Sequence, residues 1–93
     1  MKIQEAIVAA LKPLSFVKKI ILFGSRARGD HQTKSDYDIA VDCPNARWDE
    51  WIEVVEAIEK IPTLYAIQVV RLDTSCEQLQ QEIAKEGVTL YAR

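Results

Sequence analysis

Hydrophobic positions near the start of the chain recur with helical spacing. Ile3, Ala6, Ile7, Ala10 and Leu11 share one side of a 3.6-residue turn, and Pro13 closes the segment, which predicts an amphipathic helix over residues 3–11 packed on a sheet. Residues 17–23 are short, rich in β-branched side chains and run into Gly24, the pattern of a strand feeding a tight turn. A loop rich in Gly, Ser, Arg and Asp fills residues 24–34. Residues 37–41 then alternate as a second strand, broken by Cys43-Pro44-Asn45. The two strands are expected to form an antiparallel hairpin around a functional loop.

Trp48, Trp51, Ile52, Val55, Ile58 and Ile61 recur with a period near 3.6 ahead of Pro62, predicting a central helix whose apolar face covers the sheet. Residues 65–72 read as a third strand. Thr74-Ser75-Cys76-Glu77 fits a capping box opening a helix that runs to about Glu86 before Gly87, and residues 88–91 are placed to add a short edge strand. The order αββαβα predicts an α+β fold, a single-layer mixed β-sheet covered by helices, with residues 1–93 as one domain. Lys18 and Lys19 read as strand-edge solubility residues. Trp48, Tyr65 and Leu90 mark where exposed apolar surface would serve as a docking face for a second chain.

Composition narrows the classes of function. With 93 residues there is room for one hydrophobic core, and 48% hydrophobic with 28% charged residues is ordinary globular usage. A formal net charge of −2 gives no general attraction to nucleic acid, so direct binding of DNA or RNA is not expected. Cys43 and Cys76 lack metal-ligand spacing, the first residues lack the apolar run of a signal peptide, and no apolar stretch approaches the roughly 20 residues that span a bilayer. A cytoplasmic protein with no membrane role is the expectation.

The chemistry concentrates in the hairpin. In Ser35-Asp36-Tyr37-Asp38 two carboxylates stand two residues apart at a strand start, where side chains at i and i+2 share a face. Such neighbours repel and raise one another's pKa, so a site that keeps both usually supplies a cation. Oxygen ligands with open positions suit Mg²⁺ or Mn²⁺, which also bridges the oxygens of a triphosphate. Upstream, Phe23-Gly24-Ser25-Arg26-Ala27-Arg28-Gly29-Asp30 ends a strand with a glycine that admits a ligand close to backbone, followed by a hydroxyl and two guanidinium groups. Backbone N–H groups and the Ser25 hydroxyl suit terminal phosphate oxygens, and an arginine offers them a bidentate fork. Taken singly, each piece has an ordinary reading: a turn, a solvated Asp pair, a wet arginine loop. His31, the one histidine, reads as a polar loop residue.

Taken together, Gly24-Ser25, the ten-residue spacer 26–35 and Asp36-Tyr37-Asp38 resemble the signature of the DNA polymerase β-like nucleotidyltransferases, and more narrowly their minimal, MNT or MntA-like, branch. The motif covers about residues 20–41, while chain length and element order fit the branch throughout. The resemblance implies that Gly24 and Ser25 hold the triphosphate of ATP and that Asp36 and Asp38 bind metal as the catalytic pair. Arg26 and Ser35 complete the expected nucleotide-binding set. It further implies a helical HEPN-domain partner in a toxin–antitoxin pair, assembled as a hetero-oligomer or dimer, in which the transferase is the antitoxin and adds AMP from ATP to a tyrosine of the HEPN ribonuclease.

The third strand departs from that pattern. Relatives carry an aspartate within it and often a second acid three residues later; here Gln68 stands at the possible third-carboxylate position and Arg71 at the other. An amide supplies neither charge nor a general base. Asp73 lies at odd spacing from Gln68, so alternation turns it to the opposite face, and it reads as part of a helix cap. Asp42 shares the face of Asp38 but lies roughly 13 Å along the strand. Two working states follow: a transferase, or an impaired one that binds nucleotide and neutralises its partner by binding alone. A third reading, an RNA-binding module using Arg26 and Arg28, is opposed by the acidic balance and by the absence of an aromatic strand platform.

Overall fold

The structure, a computed structural model, describes residues 2–30 and 32–93. Ile3–Leu11 is a helix (α1) that buries Ile7 and Leu11, and a turn leads from it into a strand, β1, over Lys19–Phe23. A single helical turn, α2 (Ser25–Arg28), begins the loop, and β2 (Tyr37–Asp42) returns antiparallel to β1. Helix α3 (Trp48–Glu59) crosses over to β3 (Ile67–Arg71), which pairs parallel with β2. A 3₁₀ turn, Leu72–Thr74, precedes α4 (Glu77–Glu86), and β4 (Val88–Ala92) pairs antiparallel with β1. The four-stranded mixed sheet thus has the order β3-β2-β1-β4. The short final strand expected from residues 88–91 is present and closes the β1 side. β1 is consequently an inner strand, so Lys18 and Lys19 do not guard a sheet edge.

Strand alternation sorts the core. Ile20 and Leu22 of β1 and Tyr37, Ile39 and Val41 of β2 face one way, onto Ile7 and Leu11 of α1 and Val54 and Ile58 of α3, all buried. Each fully buried aliphatic side chain contributes about 1.5–3 kcal/mol, which fixes both helices on this face. The other face carries Ile21, Phe23, Asp38 and Ala40. Ala40 is wholly buried there, and α4 packs against β1. A β-carbon at Gly87 would meet the Ile83 carbonyl and Ile21 Cγ2, so a glycine is needed where α4 turns into β4.

Two local expectations are corrected. The face of α3 that packs on the core runs through Trp51, Val54, Ala57 and Ile58, with Ile61 following just past the helix end, whereas Trp48 is 73% exposed and Ile52 also faces solvent. The expected capping box does not form: Cys76 is the N-cap of α4 and makes no side-chain cap. The hydroxyls of Thr74 and Ser75 instead donate backwards to the Arg71 carbonyl, at 3.4 and 2.7 Å.

Candidate active site

β1 leaves the core at Phe23, whose partner across the antiparallel ladder is Asp38. The turn after β1 therefore lies beside that carboxylate. Gly24 adopts φ 76°, ψ −157°, a region essentially reserved for glycine, and a β-carbon there would collide with Asp38 Oδ2. Backbone and neighbour alike require glycine. The N–H groups of Ala27 and Arg28 donate to the Gly24 carbonyl, each at 3.1 Å, and that of Gly29 donates to the Ser25 carbonyl at 2.9 Å, winding the chain into α2. The first N–H groups of so short a turn have no intrahelical acceptor.

The paired acids interact as their spacing predicts. Asp38 is half-buried, and burial pushes its carboxyl pKa up; the neighbouring Asp36 charge adds to the rise and the Arg28 guanidinium opposes it. Arg28 itself is held by Asp30 at 3.1 Å and by Glu86 of α4 at 3.0 Å. One exposed and one half-buried carboxylate in mutual repulsion suit Mg²⁺ or Mn²⁺, which is commonly held by one or two carboxylates together with substrate phosphates. No cluster of three or more His, Cys, Asp or Glu with metal-binding geometry occurs among the described residues, so phosphate oxygens would complete such a shell.

Gln68 is the in-register partner of Asp38 in the parallel β2–β3 ladder, which sets both on one face, with Gln68 exposed. Arg71 has a different task. Its guanidinium donates to the carbonyls of Cys43 and Ala46 at 3.1 and 2.9 Å and pairs with Asp73 at 2.8 Å, fastening the loop between β2 and α3 to β3. Asp73 is thus the ion-pair partner of Arg71, not a cap of α4. Asp42 lies at the far end of β2, opposite Lys19.

Arg26 and Ser35, expected in the nucleotide-binding set, are both engaged within the loop itself. The Arg26 guanidinium donates to the carbonyls of Thr33 and Ser35, both at 3.0 Å through NH2, and lies over the rings of Tyr37 at 4.3 Å and Tyr65 at 5.1 Å. The two rings meet edge to face with centroids 5.5 Å apart. Ser35 Oγ accepts from the Gln32 N–H at 2.9 Å and closes a turn. Both residues therefore build the loop that carries Asp36. His31 lies outside the described residues.

Beyond Asp36 opens a cleft of about 440 Å³ lined by Thr33, Lys34, Asp36, Leu64, Tyr65 and Ala66. Sequence patterning did not signal it, because it joins two loops distant along the chain. No helix among the described residues is long and apolar enough to cross a membrane.

Comparison with known proteins agrees with this geometry. The family model described as polymerase beta, nucleotidyltransferase matches residues 5–93. A candidate protein adenylyltransferase of Methanocaldococcus jannaschii is 43% identical over 54 residues, 55% of this chain and 54% of that protein, so the match spans about half of each. Among solved structures, a chain of a toxin–antitoxin complex with AMP-PNP superposes with a TM-score of 0.72 at 24% identity, over 99% of this chain and 75% of that one. A chain from the Shewanella oneidensis complex of tri-AMPylated HEPN toxin with MNT antitoxin gives 0.64 at 22% identity, over 97% and 70%. A candidate nucleotidyltransferase of Sulfolobus solfataricus gives 0.60 at 22%, over 97% and 77%. At these identities the structural likenesses establish the fold.

Proposed function

The chain belongs to the polymerase β nucleotidyltransferase family, and from that premise we propose that it transfers AMP from ATP to a hydroxyl of a partner protein, as the antitoxin of a cytoplasmic HEPN/MNT toxin–antitoxin pair. The observation that carries the reading is the close approach of the Gly24 turn and Asp38, which sets the turn and a pair of carboxylates together at one end of the two inner strands. In this reading the backbone at Gly24 and Ser25, with the Ser25 hydroxyl, binds the terminal phosphates. Asp36 and Asp38 hold Mg²⁺ or Mn²⁺, which when bound neutralises charge on the triphosphate. Arg26 and Ser35 serve by fixing the backbone on which Asp36 stands. The relative with an adenylyltransferase name and the fold neighbours that are toxin–antitoxin complexes support the donor and the partner class.

A second reading is favoured by one specific observation. The position beside Asp38 on β3 carries the amide of Gln68, which accepts no proton at working pH, so the protein on this reading binds nucleotide and partner without turnover. The two are separated by the intact mass of the HEPN-domain partner after incubation with this protein, Mg²⁺ and ATP, beside the Asp36→Asn/Asp38→Asn and Gln68→Asp variants. An adenylyl-sized gain abolished in the double variant supports transfer. A gain only with Gln68→Asp supports the binding reading. No gain in any of them overturns transfer to this partner.

A further inference from the structure

The outer side of α1 carries its charges symmetrically about a small apolar centre. A groove of about 420 Å³ runs between α1 and β4, lined by Gln4, Glu5, Val8, Ala9 and Lys12 from the helix and by Leu90 from the strand. Glu5, Ala9 and Lys12 are exposed, and neither Glu5 nor Lys12 enters an ion pair among the described residues. The two walls are tied to each other. The Arg93 guanidinium, just past the end of β4, donates to the carbonyls of Lys12 and Leu14 at 2.7 and 3.0 Å, so helix and strand keep one spacing.

Glu5 and Lys12 stand two helical turns apart, about 10 Å, with Val8 and Ala9 midway between them. A two-fold axis through that midpoint, perpendicular to the helix, brings Glu5 of one copy to Lys12 of the other at both ends and lays Val8 against Ala9. The two helices then run antiparallel, which also opposes their dipoles, and the small central side chains let the axes approach to about 8 Å. A parallel pair would set Glu5 on Glu5 and Lys12 on Lys12. The surface therefore complements itself in one orientation, the property of an isologous interface.

The same side of the sheet is short of cover. β4 is an edge strand whose five residues carry no charge, and its Val88 is 47% exposed. The register shift where β4 meets Ile20 and Ile21 interrupts its ladder, which leaves the contact to side chains rather than to strand pairing. We propose that a second copy of this chain docks here, α1 antiparallel to α1 across a two-fold axis, with Glu5 and Lys12 paired at both ends and Leu90 at the flank. α1 packs on the sheet face of Ile20 and Leu22, opposite to Asp38, so the dimer leaves both carboxylate pairs open. The proposal is independent of the transferase reading.

The test is sedimentation equilibrium on the full chain across a wide range of concentration. At low salt it should show a monomer–dimer equilibrium that weakens in about 1 M NaCl. Glu5→Lys and Lys12→Glu each set like charges together at both ends and should each raise the dissociation constant about tenfold or more. Glu5→Lys/Lys12→Glu restores opposite pairs and should recover the dimer. All of these keep good helix formers at exposed positions. The double variant also combines both unfavourable helix-end charges, so if the single variants lost dimer only by fraying α1, it would dimerise less than either. Ala9→Arg fills the centre and should abolish the dimer while thermal unfolding stays cooperative. A monomer at every concentration, a dimer indifferent to the single reversals or to Ala9→Arg, or a double variant no better than the single ones would overturn the proposal.

Discussion

The carboxylate of Asp38 occupies the space that a side chain at Gly24 would need. The turn and the acid are therefore one packed unit. Gly24→Ala places a β-carbon in a glycine-only backbone region and against that carboxylate, and it should cost about 1–3 kcal/mol from the backbone alone. Urea denaturation should show the loss, and isothermal titration should show ATP binding falling with it. A variant as stable as the parent would mean that the turn relaxes easily and that its geometry is not held by Asp38.

Asp38 also makes stability depend on pH in a direction opposite to that of a salt-bridged acid. Its carboxyl titrates above the ordinary 3.8, chiefly through burial and then through Asp36, so the folded state holds a proton that the unfolded chain releases earlier. Stability should fall as pH rises from the ordinary aspartate value through the raised one, with the whole penalty present above it. Asp38→Asn should remove this slope and raise the melting temperature of the nucleotide-free protein at neutral pH, while abolishing transfer. The measurement is the difference between the two thermal profiles across pH, which cancels the other acids.

Arg26 joins three segments, and its loss should be felt at a distance. Arg26→Ala leaves the Thr33 and Ser35 carbonyls without their charged donor and Tyr37 and Tyr65 without the cation between them. A destabilisation of about 1–3 kcal/mol is expected, together with weaker metal-dependent nucleotide binding because Asp36 loses its support. Arg26→Lys should recover little, since an ammonium cannot stack and fork at once. Full rescue by lysine would show that only charge matters there.

Gln68 lies in register with Asp38, so Gln68→Asp adds a third carboxylate to the same face. If proton removal limits transfer, the substitution should raise the rate by about 10²-fold or more and shift its pH dependence toward that of a carboxylate base. Single-turnover AMP transfer to the HEPN partner reads both. An unchanged rate would place the limiting step elsewhere, in docking or release.

Much of this was legible along the chain. The hairpin, the Gly24 turn, the Asp36/Asp38 pair and the crossover helix each leave a local pattern, and β4 was readable from residues 88–91. The facing of α3 was not, because Trp48, Trp51, Ile52, Val54, Val55, Ala57 and Ile58 are apolar around a wide arc; periodicity marks a helix without choosing between adjoining stripes. The contacts Arg26 makes within the chain were not legible for a related reason. An arginine beside a phosphate-like turn advertises an anion site, yet its partners are two carbonyls and two rings that only the folded loops bring together. Thr74 and Ser75 had capping chemistry, but the intervening 3₁₀ turn sends their hydroxyls back to Arg71.

The inner position of β1 has a kinetic consequence. Its hairpin with β2 closes over a short stretch of chain, whereas its other ladder pairs Lys19 with Ala92 and Leu22 with Val88. Contacts of such wide separation form late. A newly made chain can therefore own its carboxylate hairpin while one flank of β1 still shows bare N–H and carbonyl groups, a template for mispairing until the final strand docks. Substitutions in Val88–Ala92 should accordingly surface first as slow refolding and inclusion-body formation, with the chemistry of whatever molecules do fold left largely untouched.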